Sequence, residues 1–176
     1  TDAQGRPAFE SEWHKMDDAR FPLSHNRVRQ LYEDRDNQLW VATDGGVNRY
    51  DEVNRRFVAY NIVDSTHRYN ANWAYSLFED RDGRLWIATC LGGIFVVDKQ
   101  ALLKGGQDTY VAERNYTTDN GLSGLFVNQM AQDHQGRVWA LLYNTTHSIE
   151  RIDPHTGRVT HVASGTLTDE QFPNFI

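Results

Sequence analysis

The chain has 176 residues, 39% of them hydrophobic and 24% charged, with a formal net charge of −6 at pH 7, the composition of a globular fold rather than a disordered segment. Acidic and basic residues are interspersed, without the basic stripe that neutralises phosphates, which argues against nucleic acid as a partner. The single Cys90 rules out an internal disulfide, no Cys/His spacing suits a metal, and no apolar run approaches a membrane span, so no metal, cofactor or membrane contact is expected of this segment.

In chain order, residues 9–16 (Phe9 to Met16) read as the outer strand of a blade whose earlier strands are absent. Three segments then align without gaps: Val28 to Thr43, Ala74 to Thr89 and Val127 to Leu142. Each passes from an Asp (Asp34, Asp80, Asp133) to a Trp six residues on. Trp40 to Trp86 is 46 residues and Trp86 to Trp139 is 53, close to the period of about 40–50 residues of propeller blades and too long for ankyrin or tetratricopeptide units.

Each unit reads as four strands. The first ends at the Asp, whose carboxylate can bond the amides of the turn that follows. One aligned position of that turn holds Asn37, Gly83 or Gly136, the residue types that tolerate a left-handed backbone. The second strand (Leu39 to Ala42, Leu85 to Ala88, Val138 to Leu142) lacks polar alternation, so both faces are expected to be buried, with the Trp filling the gap between blades. A turn, Asp44-Gly45-Gly46 or Leu91-Gly92-Gly93, leads to the third strand (Val47 to Tyr50, Ile94 to Val97, Ser148 to Ile152). The outer strand is expected at Phe57 to Tyr60, Tyr110 to Tyr116 and Val159 to Val162. The blades thus span 28–61, 74–117 and 127–163. Between the second and third strands of the last unit stands Tyr143 to His147 instead of Gly-Gly. Lys99 to Gly106 reads as a helical turn on the outer side of the second blade, either mediating contacts or an ornament without function, and residues 164–176 as a lead into another blade. The fold class is all-β: about three four-stranded blades of a larger propeller, since closed rings take about four to eight.

The unit containing Asp80-Arg81-Asp82-Gly83-Arg84-Leu85-Trp86-Ile87-Ala88-Thr89 and Gly92-Gly93 resembles the two-component regulator propeller repeat. So does the first, through Gly45-Gly46 to Tyr50-Asp51, and the lead-ins Pro22-Leu23-Ser24-His25-Asn26 and Asn120-Gly121-Leu122-Ser123-Gly124 fit the same pattern. The third departs at Ala140-Leu141-Leu142. The resemblance implies the periplasmic sensor region of a bacterial hybrid histidine kinase, responding to oligosaccharides, with the remaining blades of the propeller and a second copy of the full-length protein as partners. The kinase would lie outside this chain, and no catalytic residue is expected within it. The alternatives are a protein-interaction propeller that binds no small molecule, and a propeller lyase or glycosidase. For the latter, the aspartate position of the sialidase Asp-box holds Arg35, Arg81 and His134, and no isolated carboxylate pair stands out.

Binding in such folds lies in the connections that can vary without disturbing the sheets. The connection Val63 to Trp73 and the loops Thr89 to Gly92 and Tyr143 to His147 are expected on one face around a central channel. There they would present Trp73, Tyr69, Tyr143, Arg68, His67, Asn72 and Asn144. Aromatic rings beside amides and a guanidinium suit a sugar's apolar face and hydroxyls.

Overall fold

The computed structural model of the chain describes residues 5, 16–17 and 22–163. The strand expected at 9–16 and the lead at 164–176 lie outside the described residues, apart from Met16. Three four-stranded antiparallel sheets follow one another. The first comprises β1 (Val28–Glu33), β2 (Leu39–Thr43), β3 (Gly46–Asp51) and β4 (Arg56–Tyr60), hydrogen-bonded in that order. A short β5 (Ile62–Val63) precedes the second sheet, whose strands are β6 (Ala74–Glu79), β7 (Arg84–Thr89), β8 (Ile94–Asp98) and, after α1 (Lys99–Lys104) and β9 (Tyr110–Val111), β10 (Arg114–Tyr116). The third comprises β11 (Val127–Gln132), β12 (Val138–Leu142), β13 (Ile149–Ile152) and β14 (Val159–Ala163). Each sheet is one blade, with β1, β6 and β11 adjacent at the inner edge.

Period-two alternation divides the core between the blade junctions. On β7, Leu85 and Ile87 face the first blade and join Trp40, Leu77 and Phe95, whereas Trp86 and Ala88 face the third and join Val127, Met130 and Val138. Trp40 and Trp86 are 0% and 1% exposed. The equivalent Trp139 is only half-buried, because its face turns away from the second blade.

The repeated Asp does more than close its turn. Asp34 Oδ1 accepts from the amides of Asp36 and Gln38 at 2.9 Å each, and its Oδ2 accepts from Trp40 Nε1 at 2.8 Å. Asp80 and Asp133 repeat the pattern, their Oδ2 atoms accepting from Trp86 and Trp139 Nε1 at 2.7 and 2.8 Å. One carboxylate therefore fixes both the turn and the rotamer of the Trp between blades. Between Asp and Trp, Asn37 has φ 59°, Gly83 83° and Gly136 82°, the left-handed conformation expected there. A Cβ on Gly83 would find its nearest atom, Glu79 Oε1, at 3.8 Å, so substitution there strains only the backbone. Gly83→Ala is expected to lower stability by about 1–2 kcal/mol and Gly83→Asn by less than half of that, read from urea denaturation midpoints. Equal losses for the two variants would show that something other than the backbone angle sets the cost.

Side chains of one blade also satisfy the backbone of the next. Gln30 Oε1 accepts from the Leu77 amide at 2.6 Å and the Tyr32 hydroxyl accepts from the Glu79 amide at 3.0 Å. The turn arginines reach forward in the same way: Arg35 Nη2 donates to the Asp80 carbonyl at 2.6 Å and Arg81 Nη1 to the His134 carbonyl at 2.8 Å.

The second blade differs from expectation. The stretch Tyr110 to Tyr116 is not one outer strand: Arg114–Tyr116 pairs with β8, while Tyr110–Val111 pairs in parallel with Ile62–Val63 of the preceding connection. The buried Tyr110 ring packs edge-on against Tyr60 at 5.7 Å, which draws this segment towards the first blade. Nor is the helix an ornament. Asp98 caps it by accepting from the Gln100 amide, Leu102 is 1% exposed in the junction core, and Lys99 Nζ lies within 3.2 Å of Asp34, Asp36 and Glu79. The inserted segment 99–111 thus clamps the first blade to the second.

Candidate functional site

Backbone hydrogen bonds gather the variable connections at the end of the blades opposite the Asp turns. The Trp73 amide donates to the Asp44 carbonyl and the Trp73 carbonyl accepts from the Cys90 amide, seating the 61–73 connection between the β2–β3 and β7–β8 turns. The Gly93 amide donates to Leu125 and the Tyr143 amide to Phe126, which ties the lead into the third blade to its neighbours. The three loops expected to share a face are therefore joined through one network.

Within that face the seven predicted residues fall into separate places. Trp73 (φ 56°, 38% exposed) sits at the inner edge, directly before β6. Asn72 lies against the β2–β3 turn, where a Cβ on Gly46 would come within 3.3 Å of its Oδ1. Tyr143 packs against Phe126 at 5.2 Å, and Asn144, with φ 53°, is exposed in the turn beyond it. His67, with φ 57°, is exposed at the tip of the Asp64 turn. Only Arg68 and Tyr69 share a cleft, of about 600 Å³, between residues 64–69 and residues 112–120. The guanidinium of Arg68 lies 4.9 Å from the Tyr69 ring centre and bonds Asp119 Oδ2 at 3.1 Å across the cleft.

Two features of this face escaped the sequence reading. The first is a run along the inner edge: Arg29 lies 4.4 Å over Tyr75, Tyr75 meets Phe126 at 4.8 Å, and Phe126 meets Tyr143. Arg29 is fixed by Asp44, which receives its Nε at 2.6 Å and its Nη2 at 3.2 Å. Burial pushes the Asp44 carboxyl up, but the Arg29 hydrogen bond and the charges of Arg29 and Arg27 outweigh it and hold the group below its ordinary value. Burial also pushes the Tyr75 hydroxyl and the Cys90 thiol up, so both are protonated at neutral pH. The aligned column Arg29, Tyr75, Asn128 carried the signal: it sits at the bulge of each inner strand and varies between flanking positions that keep their type.

The second lies in the third blade. Glu150, fully buried, accepts through Oε1 from the Ser123 amide at 2.8 Å, from the Ser123 hydroxyl and from His161 Nδ1 at 2.9 Å, while His147 stacks on His161 at 4.4 Å. In the first blade Asn48 holds Ser24 in the same manner, accepting from its amide at 2.9 Å and donating to its hydroxyl at 2.7 Å. The shared part of this arrangement secures the lead-in. Ser123 Oγ also lies 3.2 Å from His161 Nδ1, so Ser123, His161 and the amide form one hydrogen-bonded group around a single carboxylate oxygen. Among the described residues no cluster of three or more His, Cys, Asp and Glu side chains is placed to hold a metal ion, and no helix is long and apolar enough to cross a membrane.

Comparison with known proteins agrees with this architecture. The family described as two component regulator propeller matches residues 22–45 and 68–90, the lead-in through the Trp strand of the first two blades. Two solved structures of the extracellular domain of BT4673 from B. thetaiotaomicron, described in one case as a one-component and in the other as a hybrid two-component system, are each 54% identical over 93% of this chain, with TM-scores of 0.84 and 0.85. The chain spans 22% of the length of each. The extracellular domain of the hybrid two-component system BT3049 from the same organism shares the fold, with a TM-score of 0.59 at 22% identity over 80% of this chain and 19% of its own. No match was found among curated proteins. With two blades matched in sequence and the third repeating their strand order and Asp–Trp bond, the chain carries two-component regulator propeller repeats.

Proposed function

We propose that this chain is part of the ligand-sensing propeller of a bacterial two-component sensor, that it faces the periplasm, and that its ligand is an oligosaccharide. The supporting observation is the 54% identity, over 93% of the chain, to extracellular domains of signalling systems. The receiving histidine kinase lies outside these residues, and the reading assigns no catalytic step to them. Mechanistically, a ligand that touches loops of two blades binds one relative packing of those blades more tightly than another. It thereby shifts the population towards that packing, and the bias is passed on to the output domain. The loops at one end of this chain suit that role because each is hydrogen-bonded to a loop of the neighbouring blade. The seven residues Trp73, Asn72, Tyr143, Asn144, His67, Arg68 and Tyr69 supply the aromatic and polar groups that such a ligand needs.

The protein-interaction alternative looks to exposed apolar surface, and β1 carries some: Leu31 is 64% exposed and Val28 45%. Leu31, however, occupies the repeat position of Leu77 and Met130, which are 1% and 8% exposed against the preceding blade. A further blade of the same propeller would cover it equally well, so the patch does not call for a foreign partner. Calorimetric titration of the intact ectodomain with a panel of oligosaccharides tests the proposal. Saturable binding of at least one member is expected; no heat from any member would sink the oligosaccharide reading.

A further inference from the structure

The cleft between residues 64–69 and 112–120 is built as a receptor pocket, and both its walls are fixed before any ligand arrives. On one side the Asp64 carboxylate accepts from the Thr66 amide at 2.9 Å, from the Thr66 hydroxyl and from the Tyr69 amide at 2.6 Å. Burial pushes this carboxyl up, but those bonds outweigh it and hold it below its ordinary value. On the other side Asn120 Oδ1 accepts from the Thr117 amide at 2.7 Å and its Nδ2 donates to the Asn115 carbonyl at 2.7 Å. Asn115 Nδ2 in turn donates to the carbonyls of Gly92 and Ile94. The two walls come from repeat-breaking segments, the 61–73 connection and the chain following the clamp, held in register by the parallel β5–β9 pair.

The charges of the pocket restrict what it can hold. Its lining carries three carboxylates (Asp64, Glu113, Asp119) and two guanidiniums (Arg68, Arg114), a net charge of −1. Arg114 Nη1 is committed to the Tyr116 hydroxyl and the Pro154 carbonyl at 3.1 Å each. An anionic ligand would meet this net negative charge, with Arg114 partly committed and Arg68 already paired with Asp119. That pair is exposed at the rim, its side chains 65% and 63% accessible. It offers a fixed donor beside a fixed acceptor, and a hydroxyl can accept from the one and donate to the other at once. A vicinal diol on a pyranose ring matches that spacing, with Tyr69 and Ala112 in the apolar part of the lining. The volume of about 600 Å³ is within the range of ordinary ligand pockets and suits about two or three sugar rings.

We infer that this cleft binds a neutral oligosaccharide through the Arg68–Asp119 pair and discriminates against sulfated and uronic sugars. The inference rests on the oligosaccharide reading above and adds the place and the charge class.

The test is titration of the intact ectodomain with maltotriose, cellotriose, mannotriose and xylotriose, and with sulfated and uronic trisaccharides. Arg68→Ala, Asp119→Ala and, at the opposite end of the blade, Val53→Ala are run beside the wild type. Arg68 and Asp119 are exposed, so melting temperatures should match across the set. The expected result is binding of a neutral trisaccharide, weakened about tenfold or more by either cleft variant and unchanged by Val53→Ala. Neutral binding that survives both cleft variants overturns the cleft while sparing the oligosaccharide reading. Tighter binding of a sulfated or uronic sugar overturns the charge class, and no binding of any panel member overturns both the cleft and the reading it rests on.

Discussion

Lys99→Ala is expected to destabilise the chain by about 3–5 kcal/mol, measured as a fall in the urea midpoint at neutral pH. The ammonium is 1% exposed, 3.2 Å from Asp34, 2.6 Å from Asp36 and 2.9 Å from Glu79, and the side chains of Asp34 and Glu79 are 0% and 3% exposed. Removing it strands two buried carboxylates, of which Glu79 keeps Arg35 at 3.0 Å and Asp34 keeps only neutral donors. Lys99→Met, which preserves the packing of the stem, should lose most of the same stability. Burial raises the carboxyls of Asp34 and Glu79, yet both are held below their ordinary values, Asp34 by Trp40, Gln38 and Lys99 and Glu79 by Arg35 and Lys99. Burial lowers Lys99, yet the three acids hold it above its ordinary value. The depressed carboxylates contribute fully above their unfolded values near ~4, and that contribution is lost as pH falls through the folded ones. The raised lysine contributes fully below its unfolded value near ~10.4 and loses its share only as pH climbs through the folded one. The gap between wild type and Lys99→Met should therefore be constant from about pH 6 to pH 9 and narrow towards pH 4, where protonation relieves the stranded acids. A gap that does not change with acid would assign the loss to packing alone.

The repeat was legible because its residues act within one blade. Asp34, Asp80 and Asp133 bond their own turns and their own Trp, so spacing along the chain carried the geometry, and Asn37, Gly83 and Gly136 marked the left-handed position by residue type. What escaped depends on contacts between blades. A lysine in a six-residue helix reads as a solvated surface charge until the acids of the preceding blade's turn are seen around it. Tyr110 reads as part of an outer strand until Tyr60, fifty residues earlier, is found to hold it. Likewise the seven candidate residues were selected as one face, but only packing shows that Arg68 and Tyr69 share a cleft with Asp119 while Trp73 and Tyr143 belong to the inner edge. Asp119 is not among those candidates, and nothing in local sequence links it to Arg68, 51 residues away.

Trp86→Ala should have an effect as large as that of Lys99→Ala, about 3–5 kcal/mol, for a different reason. The ring is 1% exposed and stacks between Phe78 at 6.2 Å and Tyr116 at 5.7 Å, while its Nε1 donates to Asp80 Oδ2 at 2.7 Å. Trp86→Phe keeps the stack and loses the bond, but Asp80 Oδ2 still accepts from Arg84 Nε at 2.9 Å, so the expected loss falls to about 1–2 kcal/mol. If the Asp–Trp bond links turn to junction, Asp80→Ala and Trp86→Phe should be coupled by about 1–2 kcal/mol in a double-mutant cycle; additive losses would mean that turn and Trp are set independently. Trp139 makes the same bond to Asp133, at 2.8 Å, but is only half-buried on a face no described blade covers. Trp40 and Trp86 reach full burial because the blade that follows each supplies the other half of the junction. Trp139→Ala should therefore approach the Trp86→Ala loss in the intact ectodomain, where a following blade would close over it, and fall well short of it in the 176-residue chain. Equal losses in both settings would mean that the third blade ends the stack, and the chain's exit face would then be a true surface.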